Sequence, residues 1–337
     1  MTGEVVLAVD GGNSKTDLAL VRADGELLAL VRGAMSSPQH LGIEGSLNVL
    51  ERLLDKAVKE AHLARNGAVA TVAQLLMAGV DFPAEEDEFR EAVARRGWAQ
   101  RANVGNDTFA VLRAGTERGW GVAVVCGAGI NCVGVSPDGR HARFPALGSI
   151  TGDWGGGYDV GIAAVSAAAR SEDGRGPKTT LERTVPAYFG VETPTALAEA
   201  VHRKRIPLGR VVELPPIVFA EAEHDAVAAE IVDRLAAEVA ALARVALARL
   251  GLEQEPTEIL LGGGLLQSGD GRLTAAIEAE LRQLAPGLRV RTAESAPIVG
   301  AALLGLDELG AGEDMQERLR HELGAAVERL EGRPGDG

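Results

Sequence analysis

One pattern occurs twice in this 337-residue chain. An apolar run, Val5 to Val9, ends at Asp10 and a glycine pair, Gly11-Gly12. A second apolar run follows, then an Asp24-Gly25 turn and a third run, Leu27 to Val31. About 115 residues further on, Val122 to Val125 leads into Cys126-Gly127-Ala128-Gly129. The chain returns through Cys132 to Val135, turns at Pro137-Asp138-Gly139 and runs out through Ala142 to Phe144. Short apolar runs bounded by glycine and Asp-Gly read as strands of a meander. Two copies predict an α/β chain built from a duplicated meander-plus-helices domain that faces itself across a cleft, where ligands bind preferentially. The competing explanation is two unrelated hairpins.

Three glycine turns then stand at strand ends: Gly11-Gly12, Gly127 to Gly129, and Gly262-Gly263-Gly264 after the strand Ile259 to Leu261. Glycine lets the backbone turn tightly and approach a ligand with no side chain between. Amides of Gly12, Asn13, Ser14, Lys15 and Thr16, with the side chains of Ser14, Lys15 and Thr16, suit a polyphosphate. Asp10 suits Mg²⁺ held through water. An ordinary hairpin turn is the plainer reading of the same residues, and Lys15 is equally an exposed turn lysine. A P-loop is excluded, because Lys15-Thr16 would place Val9 and Ser14 where its glycines belong. A dinucleotide fingerprint fails too, since Cys132 stands at the third glycine and the stretch leads into a strand. Three turns together fit two phosphate loops and one loop beside a base.

Two acids carry the candidate chemistry. Asp107, after Asn106 and a short strand Ala102 to Val104, opens a helix through Arg113. It could take the proton of a substrate hydroxyl attacking a γ-phosphate, or simply cap the helix. Asp153, in Thr151-Gly152-Asp153-Trp154-Gly155-Gly156-Gly157-Tyr158, could bind sugar hydroxyls, help organise Mg²⁺, or cap the helix running to Arg170. Trp154 could stack on a sugar or a base, or pack internally.

Composition limits the partners. With 34 basic against 48 acidic residues the chain carries −14, which disfavours nucleic acid and anionic membranes. Met1-Thr2-Gly3-Glu4 has no basic or long apolar leader, and no run of about 18 apolar residues spans a bilayer. Only Cys126 and Cys132 are present, which excludes a disulfide scaffold and a four-cysteine zinc site and points to the cytoplasm. They read as two buried thiols. The six histidines show no metal spacing.

The remaining chain alternates strands and helices. Leu47, Leu50, Leu54, Val58 and Ala61 mark a helix; Val72 to Ala78 is a strand ending at Gly79-Val80-Asp81; Pro83 to Arg96 is a helix. A polar loop covers 171–179 and helices cover 181–250, with Thr193-Pro194 as cap and first residue. Ile231, Leu235, Val239, Leu242 and Val245 line an amphipathic face. Helices over Leu273 to Leu284 and Pro297 to Leu306, a strand over Leu288 to Arg291, a charged helix over 311–331 and a frayed tail, Arg333 to Gly337, complete the reading.

Taken in order, these motifs together with Ala296-Pro297-Ile298-Val299-Gly300-Ala301-Ala302 resemble the BadF/BadG/BcrA/BcrD-type ATPases and their N-acetylglucosamine kinase members, within the superfamily of acetate and sugar kinases, Hsp70 and actin. The resemblance spans roughly residues 5–306. It implies two RNase H-like (actin/hexokinase-type) lobes, each with a mixed five-stranded sheet and helices, flanking an ATP–Mg²⁺ cleft. The lobes would run over 1–105 and 106–310, with a helical insertion at about 180–250 and a C-terminal helix and tail over 311–337. Asp107 would activate the sugar 6-hydroxyl, Asp10 would serve Mg²⁺, and Gly262 to Gly264 would border adenosine. Ser37, Asn106, Asn131, Gly148 and Asp153 would meet the sugar. The expected partners are a small sugar and ATP, with a homodimer as an option and neither nucleic acid nor membrane. Two departures stand out: Ser36-Ser37-Pro38-Gln39-His40 lacks the asparagine with which such kinases read the sugar, and Trp154 replaces an acid. The family's other branch activates acyl-CoA dehydratases and reductases through an iron–sulfur cluster shared between subunits. A non-catalytic ATP-binding protein is the third alternative.

Overall fold

The computed structural model describes residues 3–282 and 287–332. The chain opens with β1 (Val5–Gly11), β2 (Lys15–Arg22) and β3 (Leu27–Ala34), then α1 (Pro38–Glu60), β4 (Ala70–Met77), α2 (Pro83–Arg96), β5 (Ala99–Asn106) and α3 (Thr108–Gly115). The second meander is β6 (Gly121–Cys126), β7 (Ile130–Val135) and β8 (His141–Arg143). Five helices follow: α4 (Gly156–Glu172), α5 (Leu181–Tyr188), α6 (Pro194–His202), α7 (Pro215–Glu221) and α8 (Ala226–Leu250). The chain ends with β9 (Glu258–Gly262), α9 (Gly271–Arg282), β10 (Arg289–Thr292), α10 (Pro297–Glu308) and α11 (Glu313–Glu331).

Two five-stranded sheets result, ordered β3-β2-β1-β4-β5 and β10-β9-β6-β7-β8. In each, an antiparallel meander is extended on its first strand by two parallel strands. Read from the meander, the two orders are the same, so the repeat seen in the sequence is a repeat of RNase H-like topology.

The chain divides into two compact units, one holding residues up to Trp120 with those from Ala293 onward, the other Gly121–Thr292. This differs from the expected boundaries at 105/106 and 310/311. The reason is the period of β1. Val5, Leu7 and Val9 join a core with α1 and α2, including Leu50, Leu54, Phe89 and Val93. Val6 and Ala8 point the other way, into a core built from α3, α10 and α11, including Ala110, Ile298, Leu303, Leu319 and Leu323. A strand apolar on both faces needs cover on both, and the second cover comes from the chain's last segment.

Gly300 sets the approach of α10 to α3. A Cβ built there would lie 1.9 Å from the Ala110 carbonyl oxygen. Gly300→Ala is expected to lower stability by about 3 kcal/mol, the upper end for overpacking a filled core; urea denaturation measures it, and an unchanged midpoint would contradict the contact.

Local signals explain the helix ends. Glu85 Oε2 accepts the Asp81 and Phe82 amides at 2.8 and 3.0 Å, and Gly97 closes α2 in the left-handed region. Thr193 caps α6 through the Ala196 amide. Asp225 caps α8 through the Val227 and Ala228 amides. Region 181–250 is several helices with a 3₁₀ turn at Leu208–Glu213, not one continuous run. On the expected face of α8, Ile231, Leu235 and Val239 are buried while Leu242 and Val245 are half-buried. The expected helix end at Leu284 and the tail from Arg333 lie outside the described residues.

Candidate active site

In the first unit β1, β4 and β5 run parallel, with Gly11 level with Met77 and Met77 level with Asn106. Asp10-Gly11, Ala78 and Asn106-Asp107 therefore leave one edge of the sheet, the carboxyl ends where open α/β sheets hold ligands. Gly12 N donates to Lys15 O at 3.0 Å and closes the turn, leaving Asn13, Ser14 and Lys15 exposed. Lys15 pairs across the surface with Glu331 at 3.4 Å.

Thr16 departs from expectation. It pairs with Gly11 in the ladder, is fully buried, and donates its hydroxyl to Ser36 Oγ at 2.7 Å. Its side chain therefore ties the phosphate-type turn to the β3–α1 loop and offers nothing to a ligand. Ser37 is also fully buried, and its hydroxyl has no hydrogen-bond partner among the described residues. As placed, it presents no surface to a sugar.

Asp107 stands before α3 but makes no capping hydrogen bond. Asn106 does that work: its Oδ1 accepts the Thr108 amide at 3.0 Å and the Thr108 hydroxyl at 2.6 Å. Its Nδ2 donates to Asp81 Oδ1 at 2.8 Å and to Val80 O at 3.4 Å. Asn106, expected to meet substrate, is buried with its amide committed to the protein. Asp107 is left half-buried with its carboxylate available. Burial pushes its pKa up to about 6, against a downward pull from the Thr108 and Asp107 amides.

Asp10 is pushed further, to about 8, by burial and then by the carboxylates of Asp107 and Asp17; Lys15 and Arg32 oppose them. Asp17 is itself clamped by Arg32 through two bonds of 2.6 and 2.8 Å. An acid crowded by acids at a strand end is a place that a cation relieves. Among the described residues no group of three or more His, Cys, Asp or Glu could hold a metal. Mg²⁺ needs no such cage, since it keeps its waters and takes oxygens from phosphates beside one or two carboxylates. Asp10 fits that demand.

In the second unit β6 and β9 are parallel neighbours, Val125 level with Gly262. Both glycine turns thus leave the same sheet edge. Gly263 adopts φ +84°, and a Cβ there would lie 2.5 Å from Cys126 O. Leu265 N donates to that same oxygen at 3.1 Å. The first turn is closed by Gly127 N to Gly129 O at 2.9 Å. It is held to the start of α4 by Gly157 N to Gly127 O at 2.8 Å and Tyr158 N to Ala128 O at 3.0 Å. Ala128, Gly129 and Gly264 remain exposed.

Three of the expected sugar-side residues, Asn131, Gly148 and Asp153, belong to this unit. Asn131 is half-buried on β7, with Oδ1 accepting the Cys132 amide at 2.7 Å. Gly148, at φ +61°, accepts the amides of Thr151 and Asp153 at 3.1 and 3.0 Å. Asp153 is half-buried, takes the Thr151 hydroxyl, and borders a hollow of about 150 Å³ with Ile130, Phe144, Trp154 and Leu242. The Arg234 guanidinium lies 4.0 Å over the Trp154 ring, so a cation–π contact already occupies that aromatic.

The two cysteines are buried and reduced. Cys126 accepts the Gly156 amide at 3.1 Å, and burial pushes its pKa up to about 12; burial raises Cys132 as well. Neither thiol lies on a surface where a second subunit could share a cluster.

Sequence reasoning overlooked Asp81, Ser36 and Gly156 as parts of these sites. Gly79-Val80-Asp81 was visible as a strand end, but no periodicity marks a hydrogen bond to a residue 25 positions away.

A sequence profile of the BadF/BadG/BcrA/BcrD ATPase family matches residues 7–305, and the chain belongs to that family. An N-acetylmuramic acid/N-acetylglucosamine kinase from Clostridium acetobutylicum is 26% identical over 264 residues, covering 78% of this chain and 86% of its own. An N-acetyl-D-glucosamine kinase from Dictyostelium discoideum is 25% identical over 316 residues, covering 91% and 99%. The solved structure of a candidate N-acetylglucosamine kinase from Chromobacterium violaceum superposes with a TM-score of 0.71 at 25% identity, covering 90% of this chain and all of that one. A ROK hexokinase from Thermus thermophilus, at 16% identity and TM-score 0.56, shares the fold over 91% of this chain and 100% of its own.

Proposed function

We propose that this ATP-dependent sugar kinase transfers the γ-phosphate of ATP to the 6-hydroxyl of N-acetylglucosamine or a closely related hexose derivative, with Asp107 as general base. The observation that carries the reading is an acid at a helix start relieved of capping duty by Asn106 and held near pKa 6. Such a group is largely ionised at neutral pH yet basic enough to take a proton, the balance general-base catalysis favours.

The roles then divide between the units. In the first, Asp107 orients and deprotonates the hydroxyl, and the turn closed by Gly12 binds phosphate oxygens through the exposed Asn13, Ser14 and Lys15. Asp10 would hold Mg²⁺, which when bound supplies charge neutralisation at the phosphates. In the second, the turn Gly127 to Gly129 binds phosphate, Gly262 to Gly264 borders the adenosine, and Asn131, Gly148 and Asp153 meet the sugar. Phosphoryl transfer asks little more of a protein than such positioning and charge. The cytoplasm, where ATP is supplied, is the matching compartment. The activator alternative is disfavoured by Cys126 and Cys132, both buried thiols inside a sheet.

A coupled ADP-release assay over a panel of hexoses and 2-acetamido hexoses tests the proposal. Release that depends on a 2-acetamido sugar, with a product phosphorylated at O6, is expected. Tight ATP binding with no sugar-dependent release would instead indicate a non-catalytic binder.

A further inference from the structure

The carboxylate of Asp81 has no place in the chemistry above, yet it takes the NH₂ end of the Asn106 amide. Asn106 is 4% exposed, and its two ends meet opposite demands. One end faces Thr108, whose amide can only donate; the other faces the Asp81 carboxylate, which when ionised can only accept. The 2.8 Å bond from Nδ2 to Asp81 is much shorter than the 3.4 Å contact to Val80 O. Asp81 is itself fixed, because Glu85 Oε2 holds its amide at 2.8 Å as part of the α2 cap.

We infer that Asp81 is a positioning residue. It locks Asn106 in the rotamer that caps α3, and so keeps the Thr108 amide bonded to Asn106, with only a weaker pull on the Asp107 carboxylate. The chain of contacts runs Glu85, Asp81, Asn106, Thr108, and spares the Asp107 carboxylate the capping bond. Without Asp81, the Nδ2 end loses its short bond and keeps the long 3.4 Å contact to Val80 O, and the Asn106 side chain loosens its hold on the Thr108 amide. The cap then falls to Asp107, which is the neighbouring residue best suited to it. This inference rests on the reading of Asp107 as the base.

The test compares D81A, D81N, N106A and the D81A/N106A double variant in the full chain. D81A is expected to lower kcat by about 10- to 100-fold, the scale of a small misplacement of a catalytic group. KM for sugar and for ATP should stay within about twofold. D81N, which keeps an acceptor at the same place, should recover most of the loss. In the N106A background D81A should cost little more, because both act through one amide. Hydrogen exchange at the Thr108 amide should speed up in D81A and not in D81N. The inference fails if D81A leaves kcat or Thr108 protection as in wild type, or if it lowers kcat equally with and without Asn106. Should wild type phosphorylate no sugar at all, the functional reading falls, while Thr108 exchange still decides whether Asp81 fixes the cap.

Discussion

Asp107→Asn should reduce kcat for sugar phosphorylation by about 10³-fold, within the range general-base catalysis supplies, while the Kd for ATP moves less than about twofold. The substitution is nearly isosteric and removes only the ability to take a proton. The wild-type pH profile should show the same group. With a pKa of about 6, kcat/KM at saturating Mg²⁺, which would keep Asp10 ionised, should fall about tenfold per pH unit below 6 and level off above it. Stability gives a second readout with a definite sign. A carboxyl raised from 3.8 to about 6 in the folded state favours folding below pH 4 and loses that contribution as pH rises through 6. Asp107→Asn should therefore raise the Tm relative to wild type at pH 7 and not at pH 4. A lower Tm at pH 7 together with lost ATP binding would mean that Asp107 serves the fold.

The second large effect is expected at Gly156. It sits at φ +80°, where only glycine is at ease, and an added Cβ would lie 2.5 Å from Ala128 O and from Gly129 Cα. Ordinary contact needs 3.4 Å or more, so Gly156→Ala must push the 127–129 turn off the start of α4 by about 1 Å. A displacement of that size at a group that positions substrate costs about 10²-fold. The expected result is a fall of about 10²-fold in kcat/KM for ATP, measured by the same ADP-release assay. Gly209→Ala is the control, since a Cβ there meets nothing within 4 Å and the position lies outside the proposed phosphate turn. Equal losses in both variants would overturn the seat of the turn on α4 as the cause.

What could be read in advance follows from what sequence encodes locally. The two meanders were legible because each strand carries its apolar run and each turn its glycine, and α2 was legible to the residue because Pro83, Glu85 and Gly97 punctuate it. The unit boundary was not, because the affinity of α10 for β1 and α3 lies in packing such as Gly305 over Val6, between residues 299 positions apart. At the site, Asp10 and Asp107 could be singled out as acids at strand ends. That Asn106 and Thr16 face inward could not, since Asn106 and Asp107 are equally good capping residues on paper. Asn106 takes the cap with its other end on Asp81, which arrives from the loop between β4 and α2.

The interrupted first unit has a consequence for how the chain comes off the ribosome. Its sheet is spelled out by residue 106, but Ile298, Leu303, Leu319 and Leu323, which shield Val6 and Ala8, are translated only after all of Gly121–Thr292. The later-encoded unit can thus mature first, while the earlier one waits with one oily side bare. Chaperone attention during synthesis should concentrate on that waiting side, and release from it should coincide with the emergence of α11.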